Sequence, residues 1–429
     1  MSTTTEKVPV PVAGEPDVIP LRTAIKAPIM LGIVTLAVAL LVALKARSGD
    51  TGFRLAVDTD FFNLPEITVP STATVTTVVV LLAALTAASA LLVSRGRRTP
   101  LWLIALFAVL AMIGFLAWAA AGQSVPVIGL LGGSIALAVP LVFGALGGVL
   151  GERAGVVNIA IEGQLLFGAF AAAMFGTLVG SPWGGLVAAM LAGMLVALVL
   201  AFFAINYFVD QVIVGVVLNV LVVGITSFLF SQVMADNPDK LNAPDHFSRI
   251  AIPVLGQIPV IGPVLFRQTI LVYLMYVAVG VTAWALYRTK WGLRVRAVGE
   301  HPKAADTVGI KVNRTRYTTL LIAGLIAGAG GATYTLVAVP QFGQEMTDGA
   351  GYIALAAVIF GRWDPIRATL AALLFGFATN LSGVLSVLGS PVPSQFMLML
   401  PYVVTIVAVA GLVGASRAPA ADGVPYRKG

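Results

Sequence analysis

The chain has 429 residues, of which 59% are hydrophobic and only 10% are charged. Soluble proteins carry about a quarter of their residues as charged ones, so this composition excludes a soluble globular fold and predicts a multispanning membrane protein. The net charge is +7, but the basic residues cluster in loops between apolar runs, which argues against nucleic-acid binding. With no cysteine and two histidines in different loops, we expect neither a disulfide nor a metal site.

The first 26 residues are polar and rich in proline, which is typical of a disordered tail. A series of apolar runs follows, most of them near the ~20 residues that a helix needs to cross a bilayer. The runs are 28–44, 74–94, 101–121, 127–150, 156–180, 184–206, 212–234, 269–287, 318–339, 350–361, 366–388 and 396–414. The sequence therefore predicts an all-α integral membrane protein with ten to twelve transmembrane helices. Broken or re-entrant segments are expected near 151–164 and 349–361.

The charges of the loops predict the orientation of these helices. Basic loops resist translocation, so the segments 95–98, 288–317 and 362–367 are expected to face the cytoplasm. The loops 50–73 and 235–268 mix acidic residues with proline and are expected outside. Both termini are then cytoplasmic.

Local composition divides the chain into four parts. The segment 27–121 consists of Leu, Val and Ala with almost no polar residue inside its runs, which indicates additional N-terminal transmembrane helices. In the core, 122–416, glycine is dense and Pro140 is expected to interrupt a span, as in transport proteins; tight packing alone is the alternative explanation for the glycine. Cytoplasmic tails, 1–26 and 417–429, flank these parts.

A polar break at 151–164, GERAGVVNIAIEGQ, supplies three candidate residues of a solute pathway: Asn158, Glu162 and Gln164. Asn158 is predicted to cap the helix that restarts there, and Glu162 lies one turn inside it, near the positive end of the helix dipole. A carboxylate in a membrane run is a functional candidate. The alternative is that Glu162 only caps this helix or pairs with an arginine at the membrane face.

Two later residues complete the candidate pathway. Asn219 falls in the middle of an apolar run, where its amide must either line a wet cavity or bond a neighbouring helix. Tyr352 ends the polar run 343–352, which is either an external mouth leading into a half-helix or an ordinary exposed turn.

The segment 288–317 is basic and contains a short helix-compatible unit, 303–309. Such a unit between membrane spans predicts a docking element for a cytoplasmic partner. The chain has no Gly-Lys pair and hence no P-loop, and its spans hold too few ionisable residues for an ion relay. We therefore expect a transporter that is not an enzyme and draws its energy from a partner.

Several segments of the chain resemble those of a known family. The run 292–300, GLRVRAVGE, with the following Ala-Ala-x3-Gly spacing, resembles the coupling loop of permease subunits of bacterial ABC importers of the branched-chain amino acid, simple-sugar and nucleoside type. The segments 151–164 and 351–361 support this likeness, which covers 122–415. The sequences of 151–164 and 210–219 are most similar to those of the nucleoside branch. Residues implied to couple to the ATPase are Gly299, Glu300, Ala304, Ala305 and Gly309.

The resemblance implies a subunit that forms half of a translocation pathway in the bacterial inner membrane, surrounded by lipid. Its implied partners are a cytoplasmic ABC ATPase, a second permease, an extracytoplasmic substrate-binding lipoprotein and a small-molecule solute. No cofactor is implied, and ATP is hydrolysed by the partner. The solute is expected to be a nucleoside. Simple sugars or branched-chain amino acids are the alternative on the same architecture, and an ion-coupled secondary transporter is the alternative from another class; a purely structural membrane protein is disfavoured by the polar breaks.

Overall fold

The computed structural model describes residues 25–44, 47–56, 64–390 and 417–427, together with five residues between 392 and 399. These residues form two compact units. One is drawn from 1–51 and 69–123, and the other from 52–68 and 124–429. The last predicted span, 396–414, lies almost entirely outside the described residues and stays a prediction, and so does the predicted tail at 1–26.

The first unit contains three helices, which pack against one another: α1 (Lys26–Leu44), α2 (Ser71–Ser94) and α3 (Leu101–Ala119). Few polar groups hold them together. The hydroxyls of Thr35 and Thr86 lie 3.1 Å apart between α1 and α2. Most side chains of α1 and α2 are exposed, and since most of these exposed side chains are apolar, they suit a lipid environment.

The second unit holds the remaining helices: α4 (Val127–Arg153), α5 (Ile161–Val179), α6 (Pro182–Ala201), α7 (Gln211–Leu229), α8 (Pro238–Leu241), α9 (Ile270–Arg288), α10 (Lys290–Glu300), α11 (Pro302–Thr307), α12 (Val312–Thr333), α13 (Ala350–Phe360) and α14 (Pro365–Val387). Short π-helical stretches at 202–206, 230–234 and 334–338 extend α6, α7 and α12.

The strands are short connectors: β1 (Asp50–Arg54), β2 (Ile67–Pro70), β3 (Ser124–Pro126), β4 (Arg249–Ala251) and β5 (Arg267–Thr269). In the second unit, Gly52 pairs with Ser124 in parallel register, and Arg249 of β4 pairs with Thr269 of β5 in antiparallel register.

Within the described residues, ten helices are long and apolar enough to cross a membrane, and the 11-residue α13 is too short. The predicted class, an all-α integral membrane protein, is therefore confirmed. One detail differs. We expected Pro140 to interrupt a span, but α4 continues through it from Val127 to Arg153. Its surroundings support this course, because α4 packs against α12, α13 and α14, and packing overrides the local cost of proline.

Glycine sets the spacing of the helices at the centre of the second unit. Helix α12 packs against α4, α5 and α6. A Cβ atom at Gly328 of α12 would lie 2.2 Å from the carbonyl oxygen of Ala189, and one at Gly193 of α6 would lie 2.6 Å from the Cα of Gly328. Only glycine allows two backbones this close, so the dense glycine of the core has a packing role.

Candidate functional site

The polar break predicted at 151–164 is present, and residues 154–160 connect α4 to α5 through two turns and an irregular stretch at 156–158. The prediction that Asn158 caps α5 is wrong, because Ala160 occupies the N-cap position and makes no side-chain cap. Instead, Asn158 and Gln164 exchange two hydrogen bonds of 3.2 Å through their buried amides. Each amide satisfies the other, which removes the penalty of burying both.

The Glu162 carboxylate caps a different helix from its own. It accepts hydrogen bonds from the Thr347 hydroxyl at 2.6 Å, the Gly349 amide at 3.0 Å and the Gly351 amide at 2.6 Å. The two amides belong to the N-terminus of α13, where helical N–H groups have no partner of their own and the dipole favours an anion. The sequence left open a cap on the helix that Glu162 itself begins, but the observed cap is on α13, and it joins α5 to α13.

Two glycines permit this contact. Gly349, at the start of α13, has φ +78°, in the left-handed region that favours glycine. A Cβ atom at Gly351 would lie 2.3 Å from the backbone nitrogen of Glu162. Any side chain at residue 351 would therefore push α13 away from α5.

Asn219 of α7 makes the interhelical bonds that were one of its two predicted roles. Its Oδ1 accepts from the Gly163 amide at 2.8 Å, and its Nδ2 donates to the Ile159 carbonyl at 2.9 Å and to the Tyr352 hydroxyl at 3.2 Å. Nearby, the Gln211 side chain accepts from the amide of Val157 at 2.7 Å. Sequence reasoning missed Gln211, although its place beside Asp210 at the start of an apolar run is a visible signal.

Two cavities flank the segment 343–349 and share Thr347 and Asp348 as lining residues. The smaller, of about 270 Å³, is lined by Glu162, Asn219 and Tyr352. The larger, of about 490 Å³, is bounded by α4, α13, α14 and the end of α12. Of the five candidate pathway residues, Asn158 and Gln164 line neither cavity.

The short helix predicted at 303–309 is present as α11. His301 is its N-cap, and its Nδ1 accepts a hydrogen bond from the Ala304 amide at 3.2 Å. Asn and Ser side chains often accept this bond at an N-cap. His301 is an uncommon N-cap residue, but it makes the same bond and so keeps the local structure. Gly309 ends the helix with φ +84°, and the following amide, of Ile310, donates to the Ala305 carbonyl at 3.0 Å.

The five predicted coupling residues differ in accessibility. Glu300, Ala304 and Gly309 are exposed, whereas Gly299 and Ala305 are buried. A Cβ atom at Gly299 would lie 2.1 Å from the carbonyl oxygen of Arg153, so this glycine packs onto the end of α4. Sequence reasoning missed the apolar side chain that this surface exposes most, Val308, which is 74% exposed.

Charged residues at the end of α4 and in α12 lie beneath this surface. Arg153 donates to the Trp363 carbonyl at 2.8 Å and forms a 4.0 Å ion pair with Glu300, which joins α4 to α10. The Trp363 indole donates to the buried carboxylate of Glu152. Arg316, also buried, lies in α12. The charged pair at 152–153, which follows a long apolar run, was the available sequence signal.

The described residues 417–427 of the predicted tail pack onto α10 and α11, which together are called the coupling segment. The Ala421 amide donates to the Gly299 carbonyl at 2.9 Å, and the Ala420 amide donates to Glu300 Oε2 at 3.2 Å. Arg316 donates to the Val424 carbonyl at 3.0 Å.

Two further groups of the tail contact this surface. The buried Tyr426 ring packs with Val298, Ala305 and Val312, and its hydroxyl bonds Asp306. Burial raises the pKa of Asp422 from its usual 3.8 to about 7, against the lowering effects of a hydrogen bond from the Gly423 amide and the charge of Arg316.

Taken together, the spans, the polar breaks and the exposed helix α11 define a multispanning membrane permease. The chain belongs to the family described as the permease component of the branched-chain amino acid transport system, which matches residues 130–409. It is therefore a permease subunit of an ABC importer, as the resemblance of 122–415 predicted.

Among similar proteins, the guanosine ABC transporter permease protein NupQ of Bacillus subtilis is 43% identical over 69% of this chain and 95% of its own length. The nucleoside ABC transporter permease protein NupC of Lactococcus lactis is 37% identical over 67% of this chain and 93% of its own. The putative glucose ABC transporter permease protein TsgC13 of Haloferax volcanii is 35% identical over 59% of this chain and 76% of its own. No solved structure matches the chain.

Proposed function

We propose that this protein forms half of the translocation pathway of an ATP-driven importer of nucleosides. The observation that carries the coupling to ATP is the segment α10–α11. In this segment α11 is a capped, exposed helix, and the chain has no P-loop of its own. Buried residues of the segment join it to α4 and α12. A force applied at α11 therefore reaches the membrane spans through packed contacts.

The proposed partner at α11 is a cytoplasmic ABC ATPase. Val308 is exposed in a segment that also exposes the basic residues Lys303, Lys311 and Arg314, so the segment offers an apolar anchor together with positive charge. A second permease would complete the pathway, and an extracytoplasmic binding lipoprotein would deliver the solute. In this arrangement both termini are cytoplasmic, in the inner membrane of a bacterium.

The nucleoside assignment is supported by the guanosine and nucleoside permeases that resemble this chain over nearly their whole length. Sugar import is the second candidate, because a putative glucose permease is also 35% identical. The polar cluster of Glu162, Asn219 and Tyr352 is proposed to shape the wall of the pathway on either assignment.

Reconstitution of the complete importer in proteoliposomes tests the proposal. We expect labelled guanosine or another nucleoside to accumulate only with ATP and with an active ATPase, and glucose and leucine to be excluded. Accumulation that follows an ion gradient and ignores the ATPase would overturn the proposal.

A matched pair of variants tests the coupling surface. Val308→Asp should lower uptake at least tenfold, because it places a charge at the apolar anchor. Val254→Asp should leave uptake within twofold, because Val254 is 75% exposed on a loop remote in sequence from the coupling segment. Equal uptake by the two variants would exclude this docking surface.

A further inference from the structure

Glu162 and Asn219, two of the buried polar side chains that line the smaller cavity, are already occupied by internal hydrogen bonds. Glu162 accepts from three donors, and both ends of the Asn219 amide have partners. A solute that bonded either group would have to break an existing buried bond, which is unfavourable. The cavity is also small, at about 270 Å³, since most ligand pockets measure about 300–1,000 Å³.

The larger cavity differs in both respects. Its volume of about 490 Å³ fits a molecule of nucleoside size. Three polar side chains that line it make no side-chain hydrogen bond within the described part of the chain: Arg249 of β4, Tyr334 at the end of α12 and Asp348. Asp348 has φ +43°, an uncommon conformation for a residue other than glycine, and such conformations are concentrated at functional sites.

The rest of the lining is suited to a flat ring that bears hydroxyl groups. Helix α4 contributes an apolar wall that includes Leu137 and Pro140, and α14 contributes the hydroxyls of Thr379 and Ser382. Thr379 donates its proton to the Phe375 carbonyl at 3.1 Å, so its oxygen is still able to accept.

We propose that the larger cavity is the solute site of this subunit, in which the Tyr334 hydroxyl and the Asp348 carboxylate bond the hydroxyl and amide groups of a nucleoside. The apolar wall of α4 covers the face of the base. This inference rests on the proposed function and locates its substrate site away from the residues that the sequence indicated.

The apparent KM of guanosine uptake by the reconstituted importer tests the site. Tyr334→Phe and Asp348→Asn each remove one bond to the solute and should raise KM about tenfold, with the maximal rate kept within threefold. Tyr317→Phe, on the same helix, and Asp245→Asn make the same chemical changes at residues that line neither cavity, and should leave KM within twofold.

The outcomes separate this inference from the proposed function. If the unaltered importer takes up guanosine and the two cavity variants keep its KM, the larger cavity is not the site, while nucleoside import stands. If the unaltered importer takes up only sugars or amino acids, the proposed function and this inference both fail.

A second inference rests on a different observation, the packing of residues 417–427 onto the coupling segment. Backbone bonds hold this tail to α10 at Gly299, Arg316 holds it to α12, and Tyr426 packs against Ala305 and bonds Asp306 of α11. We infer that residues 417–427 act as a clasp, which keeps α10 and α11 fixed to the ends of α4 and α12 so that movement at α11 is transmitted to the spans.

Uptake per ATP hydrolysed measures this role in the complete importer. Tyr426→Ala should lower the ratio at least fivefold, because it removes both the ring and the hydroxyl that hold α11. Val424→Ala should leave the ratio within twofold, because Arg316 bonds the backbone carbonyl of Val424, which the substitution keeps. A normal ratio in Tyr426→Ala would overturn the clasp and leave the proposed function intact.

The absence of cysteine from the chain allows a direct probe of the clasp. A thiol reagent should label Ala421→Cys slowly, because Ala421 is only 7% exposed, and Val424→Cys rapidly, because Val424 is 50% exposed. Adding Tyr426→Ala should raise the labelling of Ala421→Cys at least fivefold. Unchanged labelling would show that Tyr426 does not hold the tail.

Discussion

The two units of this protein differ in how far they bury their apolar helices. In α1, α2 and α3 the most apolar stretch is 11%, 22% and 33% buried. In the second unit the share reaches 61%, 72% and 67% in α4, α5 and the extended α12, while α7 and α9, at 33% and 28%, stay as exposed as α2 and α3. Apolar residues alone therefore make helices that suit a membrane. Close packing needs small residues and paired polar groups as well.

The buried polar groups show the same contrast. Those of α2 are the small hydroxyls of Ser71 and Ser89, while the second unit buries Glu152, Glu162 and Arg316. A buried charge is expensive unless it is bonded, so it persists where the surrounding structure supplies partners. The second unit, which also contains the family match, is where we expect function to be sensitive to substitution.

The largest effect is expected from glycine substitution. Gly328→Val should lower the free energy of unfolding by more than about 3 kcal/mol, because its side chain meets the Ala189 backbone. Gly32→Val in α1 should change it by less than about 0.5 kcal/mol, because the nearest atom to a Cβ there is 3.7 Å away. Thermal unfolding in detergent measures both. Similar losses would mean that the first unit is packed as tightly as the second.

The next effect concerns Glu162. Glu162→Gln should cost about 2–3 kcal/mol, because an amide cannot accept from all three donors that the carboxylate serves. Glu345→Gln removes a charge from the wall of the same cavity without breaking a side-chain bond. It should leave the unfolding temperature nearly unchanged, and a loss equal to that of Glu162→Gln would favour charge over hydrogen bonding as the cause.

A smaller effect separates the two partners in the Asn219 contact. Asn219→Leu should cost about 1–2 kcal/mol, since the Gly163 amide loses its acceptor in a buried place. Tyr352→Phe removes one hydroxyl from a side chain that is 48% exposed, so water replaces the lost bond and the cost should be below about 0.5 kcal/mol. Unfolding temperatures in the reverse order would mean that Tyr352 carries the contact.

The smallest effect is a pH dependence of the tail. The pKa of Asp422 is raised from 3.8 to about 7, so packing of the tail favours the protonated acid. This contribution is complete below about pH 4 and is lost as the pH rises through 7. Arg316 of α12 opposes the shift, and Glu152 of α4 lies within electrostatic range.

Labelling of Ala421→Cys should therefore rise between pH 6 and 8, after correction for ionisation of the thiol. The change should be less than about tenfold, because Asp422 is only partly buried, so solvent screens some of its charge. Asp422→Asn should abolish the dependence. A pH dependence that persists in this variant would assign the titration to another group.

Composition, run length and local capping are enough to predict the class, most of the spans and the short helix α11. The sequence also singled out Glu162 and Asn219, since a polar group inside an apolar run is visible without a structure. What those residues do depends on how the helices pack. The partners of Glu162 lie almost two hundred positions along the chain, at 347–351, and those of Asn219 lie at 159, 163 and 352.

The same reason explains the larger cavity and the tail. The lining of the cavity comes from segments near 140, 249, 334, 348 and 380, and no local pattern links them. The sequence predicts only a tail at 417–429. The bonds of residues 417–427 involve backbone groups and distant partners, and the pattern of side chains along the chain does not reveal such bonds. Local interactions can be predicted from neighbouring residues, whereas the pairing of distant polar groups depends on which helices pack together.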